Sequence, residues 1–142
     1  MSGSLAICDV DECLIEKVKD FRFRKNTNNA AIIMKINKET QQIVVEKELE
    51  NISLDELREE LPDRAPRYLV YSYRHAHDDG RVSYPLFFIF SSPAGCRTDL
   101  QMMYAGSKCR LVRAISMSKD FEIRSVEELT EELLKQKLGY CG

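Results

Sequence analysis

Between Leu100 and Ile115 the chain carries two apolar stripes at helical spacing instead of one. Leu100, Met103, Tyr104, Ser107, Leu111, Ala114 and Ile115 recur at i, i+3 and i+4, which predicts the core-facing side of a helix. Met102, Ala105, Cys109 and Val112 form the second stripe, flanked by Lys108, Arg110 and Arg113. A surface helix needs only one buried stripe. The spare one, small and soft in its side chains and edged by cations, reads either as a face that enters a groove on another protein or as part of a helix buried on both sides. The pattern alone does not choose between them. Gly106 sits mid-helix at a cost of about 1 kcal/mol against Ala, which suits a close approach of either kind.

Other helices announce themselves by their starts. Asp9-Val10-Asp11-Glu12 opens one, with Asp9 as N-cap, the acids in the first turn and Cys13, Leu14, Val18 and Phe21 on its inner face. Ser53-Leu54-Asp55-Glu56 is a capping box, in which Ser and Glu side chains each satisfy an orphan backbone N–H. It introduces Leu54, Leu57 and Leu61, and Pro62 ends the run. Thr98 to Gln101 repeats the box before the long helix, and Ser125 to Glu128 repeats it before Val126, Leu129, Leu133 and Leu138, with Gly139 as the stop.

Strands lie between these helices. Ala30–Asn37 and Gln42–Leu49 read as a hairpin around the polar turn Lys38–Gln41. Arg67–His75 alternates Tyr68, Val70 and Ser72 against Leu69, Tyr71 and Tyr73, and Asp78-Asp79-Gly80 turns it into Ser83–Ser91. The run Leu86–Phe90 suits a central strand covered on both faces. Ser116–Arg124 supplies a fifth strand with Phe121 and Ile123. This order predicts an α/β sandwich: a mostly antiparallel sheet of five strands between helices, as one domain spanning residues 1–142.

Charge and composition narrow the function. A net charge of −2 and pI near 5.8 argue against nucleic-acid binding, which needs a concentrated basic surface. The charges are nonetheless segregated: Lys17 to Lys25 holds five cations and one acid, whereas Glu46 to Asp63 is mostly acidic. That asymmetry fits either a solvated charge run or a face meant for an acidic partner. Five cysteines in no metal-ligand spacing, an N-terminus without a basic leader and no long apolar run predict reduced thiols in a cytosolic chain that does not enter a membrane.

No catalytic arrangement emerges. Asp9-Val10-Asp11 superficially resembles the nucleophile loop of haloacid-dehalogenase phosphatases, but the apolar run before it is three residues long and no partner Lys and Mg²⁺ motif follows. His75, His77, Asp78 and Asp79 crowd a turn, where nothing makes four zinc ligands converge. The expectation is a binding protein, not an enzyme, with neither metal nor cofactor.

Met102-Met103-Tyr104-Ala105-Gly106-Ser107-Lys108 resembles the partner-binding helix of the actin-depolymerising-factor homology fold, whose version reads roughly Met-x-Tyr-Ala-Ser-Ser-Lys. Phe21 to Lys25, Asn28 to Lys35 and His77 to Pro85 are similar to the glia maturation factor branch of that superfamily, and the resemblance covers essentially the whole chain. It implies a sandwich whose last strand is parallel to its neighbour. It implies a first partner surface of the N-terminal tail and the long helix, with Ser2, Ser4, Met102, Gly106 and Lys108, to which the spare stripe adds Ala105, Cys109 and Val112. A second surface would combine His77, Asp79 and Arg81 of the hairpin turn with Glu131 and Lys135 of the last helix. Lys19, Arg22, Arg24 and Lys25 would steer the chain toward an acidic partner.

The branch implies a cytoplasmic monomer of the actin-rich cell cortex and lamellipodia. Its members bind the actin-related protein 2/3 complex, inhibit branch nucleation and detach daughter filaments, with the second surface disturbing the first actin subunits of the daughter. The alternative is direct binding and severing of actin filaments. Where severing members place lysines before the Met-x-Tyr-Ala core, this chain has Asp99 and Gln101, which weakens attraction to the acidic actin surface by a few kcal/mol at most after screening.

Overall fold

Tyr68 and Val70 point to one side of their strand, Leu69 and Tyr71 to the other, and all four are fully buried. A strand covered on both faces belongs in the middle of a sandwich, and the computed structural model, which describes residues 9–22, 29–37, 39–62, 64–117 and 119–139, has it there. In chain order the elements are β1 (Asp9–Val10), α1 (Glu12–Arg22), β2 (Ala30–Asn37), β3 (Gln42–Glu50), α2 (Leu54–Glu60), β4 (Arg67–Ser72), β5 (His75–Ala76) and β6 (Val82–Ser83). They continue with β7 (Leu86–Ser91), α3 (Thr98–Ala114), β8 (Asp120–Ile123), a 3₁₀ turn (Val126–Glu128) and α4 (Glu131–Gly139).

Among the described residues the main sheet has six strands in the order β1-β3-β2-β4-β7-β8, and β5 and β6 form a separate two-stranded ribbon. The inner pairs are antiparallel, while β1 against β3 and β8 against β7 are parallel, the latter as the family resemblance implied. One face packs Ile32, Met34, Tyr68, Val70, Phe88 and Phe90 against Leu14 and Val18 of α1 and Tyr104 and Leu111 of α3. The other packs Ala31, Ile33, Leu69, Tyr71, Phe87 and Ile89 against Leu54 and Leu57 of α2 and Leu134 of α4.

Several expectations need correction. The sixth strand arises because Asp9 is no helix cap: its N–H donates to the Gln41 carbonyl at 3.2 Å, and Asp11 N–H donates to Ile43 at 3.0 Å. Helix α1 therefore starts at Glu12, and this phase turns Cys13 to solvent rather than into the core. The strand expected to run from Arg67 to His75 breaks after Ser72. Arg74 N–H leaves the ladder for Asn29 Oδ1 at 2.7 Å, and Pro85, with no N–H to give, offers only its carbonyl, to Tyr73 N–H at 3.1 Å. The chain then re-pairs as the β5–β6 ribbon, closed through Gly80, whose φ of 92° favours glycine.

The capping box at Ser53 forms as read, with Glu56 N–H on Ser53 Oγ and Ser53 N–H on Glu56 Oε1, both at 3.2 Å. The box expected at Thr98 does not. Helix α3 already includes Thr98, its N-cap is Arg97 without a side-chain cap bond, and the Gln101 side chain instead donates to the Pro93 carbonyl at 3.1 Å. Ser125 caps only the 3₁₀ turn, through Glu127 N–H at 3.3 Å, and α4 restarts with Thr130 Oγ1 accepting from Leu133 N–H at 3.2 Å. The last strand is shorter than Ser116–Arg124 because Ser116, at φ 55°, is still unwinding α3.

Candidate partner-binding surface

Helix α3 resolves the ambiguity of its two stripes. Tyr104, Ser107, Leu111 and Ile115 are buried, and Leu100, Met103 and Ala114 are half-buried beside them. Tyr104 is anchored at both ends: its hydroxyl accepts Ile36 N–H at 3.0 Å, and its carbonyl accepts the Tyr68 hydroxyl. Burial pushes the Tyr104 phenol up from its ordinary value, so it remains a neutral group in that network.

The second stripe faces solvent. Met102 is 46% exposed, and Ala105, Gly106 and Cys109 are exposed with it. Val112 is half-buried and leans on the core. A Cβ on Gly106 would meet nothing within 4 Å, so packing inside the fold gives no reason for that glycine. Gly106, Cys109, Arg110 and Arg113 line a shallow depression at the C-terminal half of this face.

The cations beside the stripe are less free than their sequence suggested. Lys108 Nζ lies 3.0 Å from the Asp120 carboxylate on β8, and Arg110 holds Asp9 of β1 at 2.6 Å. Arg97 and Asp99 form a fork of two bonds, 3.1 and 3.0 Å, at the start of the helix. At the other end Arg22 of α1 donates to the Ile115 and Ser116 carbonyls at 2.6 and 3.1 Å, satisfying acceptors that the helix leaves without partners. Arg22 therefore has a structural task alongside any steering one, while Lys19 is exposed on α1. Ser2, Ser4, Arg24 and Lys25 lie outside the described residues.

Of the residues nominated for the second surface, Asp79 and Arg81 meet directly. In the ribbon turn, Asp79 accepts the Arg81 backbone N–H at 3.1 Å and its guanidinium at 2.7 Å, and these contacts, the backbone one first, hold the Asp79 carboxyl below its ordinary value. His77 Nε2 lies 2.9 Å from Ser83 Oγ across the ribbon. The link to α4 runs through a residue that sequence reasoning did not nominate. Tyr73 donates its hydroxyl to Glu131 Oε2 at 3.1 Å, and burial, then that carboxylate, push its phenol up to about 12. Lys135 is exposed one turn further on. Arg97, Asp120 and Tyr73 were all missed as surface-shaping residues; the i, i+2 spacing of Arg97 and Asp99 was the one local signal available.

Among the described residues no group of three or more His, Cys, Asp or Glu is placed to hold a metal ion, and no helix is long and apolar enough to cross a membrane. Cys13, Cys96 and Cys109 are free thiols.

Comparison with known proteins agrees with this geometry. The profile of the Cofilin/tropomyosin-type actin-binding protein family matches residues 7–139. Glia maturation factor beta of Homo sapiens is 63% identical over 140 residues, covering 99% of both chains. The solution structure of glia maturation factor from Caenorhabditis elegans superposes with a TM-score of 0.80 at 40% identity, covering 96% of this chain and 99% of that one. A crystal structure of Streptomyces griseoflavus cofilin shares the fold with a TM-score of 0.81 at 24% identity, over 94% of this chain and 99% of that one. An apolar helix face left open beside a two-sided sandwich, and a full-length match at this identity, lead to one conclusion: the chain belongs to the glia maturation factor branch of the cofilin/tropomyosin-type actin-binding protein family.

Proposed function

We propose that this chain regulates branched actin networks by binding the actin-related protein 2/3 complex, inhibiting branch nucleation and promoting release of daughter filaments. The observation that carries the reading is the open face of α3, where Met102, Ala105, Gly106 and Cys109 are exposed while the opposite face is core. An apolar helix face of this kind enters a groove, and the absence of a side chain at Gly106 lets a partner's surface reach the helix backbone. The choice of an actin relative over actin itself rests on the start of the helix. Asp99, paired with Arg97, and Gln101, turned to Pro93, stand where the family resemblance implies lysines in filament-severing members. The ribbon turn and α4, which Tyr73 ties through Glu131 to the segment leading into the ribbon, form the second contact, toward the first actin subunits of the daughter filament. The protein then acts as a cytoplasmic monomer at the cell cortex and lamellipodia, with no cofactor.

Single-filament microscopy of preassembled branches tests this. Wild-type protein speeds branch loss without cutting unbranched filaments, and Met102→Asp does not. Cutting of unbranched filaments by the wild type would instead make this chain a severing factor.

A further inference from the structure

Four rings stand in a column on alternate residues where β4 runs into β5. Tyr71 and Tyr73 lie 6.5 Å apart, Tyr73 and His75 6.0 Å, and His75 and His77 4.6 Å, the last pair meeting edge to face at 76°. The two imidazoles are half-buried. They differ in their polar surroundings. His77 Nε2 faces Ser83 Oγ at 2.9 Å, a bond that survives a change of charge because the hydroxyl both donates and accepts. The His75 side chain makes ring contacts only, with Tyr73 and His77.

We infer that the β5–β6 ribbon is a proton-operated latch, closed while at least one of His75 and His77 is neutral and opened when both are charged. An edge-to-face pair needs a ring face rich in electrons, and two cations at this separation repel. The charged groups around the pair are Arg74 before it, Asp78, Asp79 and Arg81 in the turn, and Glu131 of α4 on the far side of Tyr73. Asp79, engaged by Arg81, also attracts a charge on His77, and Glu131 is engaged by the Tyr73 hydroxyl. That leaves His75, held by ring contacts, as the imidazole with no carboxylate partner among the described residues for the second proton. The ribbon itself is weakly held: each strand is two residues long and its turn is exposed. Charging both rings therefore displaces His75 and loosens the ladder that holds Ala76 against Val82. Because the same turn presents His77, Asp79 and Arg81, acidification would also weaken the second partner contact; that consequence rests on the function proposed above, whereas the latch does not.

The test uses the full chain alone, by NMR, at about pH 7.5 and about pH 5.5, either side of the ordinary imidazole range. The wild type should show the ring-to-ring contact of His75 and His77 at the higher pH and lose it at the lower. Amide exchange in β5 and β6, corrected for its intrinsic pH dependence, should rise about tenfold on acidification. His75→Phe, which keeps a stacking ring without a charge, should hold the same protection at both values. Equal protection of the wild-type ribbon at both pH values would overturn the latch, as would an identical loss in His75→Phe.

Discussion

Tyr104 and Met102 are two residues apart on α3, yet the first is 4% exposed and the second 46%. The buried face is specified many times over: Tyr104 packs at a tilt against Tyr68 with centroids 5.1 Å apart, bonds to Ile36 and Tyr68, and shares its layer with Leu111 and Ile115. The exposed face makes none of these contacts, and its glycine answers to no neighbour. Two stripes that look alike in sequence thus do different work. One is fixed by the fold, and the other is open to solvent.

Substitutions on the two faces should therefore separate stability from binding. Leu111→Ala, which empties a fully buried position, should lower the unfolding free energy by about 2–5 kcal/mol in urea denaturation. A cost below 1 kcal/mol would mean that this face is not core. Tyr104→Phe should cost about 1–3 kcal/mol, because it leaves the buried Ile36 N–H without its acceptor. Gly106→Ala should move stability the other way, raising it by about 0.5–1 kcal/mol, since a methyl there meets open space on a helix. If a partner approaches that backbone closely, the same variant binds more weakly though it folds better, a combination no core position would give.

The opposite side of the sheet adds to the pH signature that Tyr104 gives α3. Tyr73, raised to about 12, and Tyr71, raised mainly by burial, both hold their protons more tightly folded than unfolded. Their contribution to stability is complete below the ordinary phenol value of 10.0 and is lost as pH rises from there through the folded values. Chemical denaturation followed upward from pH 10 should show stability falling, and Tyr73→Phe should remove part of the slope.

Periodicity made the layers of this fold legible. The alternation around Leu69 and Val70 and the spacing of Tyr104, Ser107 and Leu111 are burial patterns, and burial is what local sequence records best. Contacts between distant residues were not legible. Asp9 looks like a helix cap until Gln41 and Ile43 offer it a strand, and the Thr98 box is lost because Pro93 takes the Gln101 side chain. Both are tertiary partners overriding a local preference. The candidate surface divides the same way. Met102, Ala105 and Cys109 could be picked out because a second stripe is visible at helical spacing. The engagement of Lys108 by Asp120 and of Glu131 by Tyr73 depends on strands and helices meeting across the fold, which no local spacing encodes.

The most direct test pairs two readouts on the two faces of α3: unfolding free energy and binding to purified actin-related protein 2/3 complex. Met102→Asp should keep its stability within about 0.5 kcal/mol of wild type and lose binding. Leu111→Ala should lose stability and, at temperatures where it stays folded, still bind. Binding that survives Met102→Asp in a fully folded protein would contradict the assignment of the open face as the docking face.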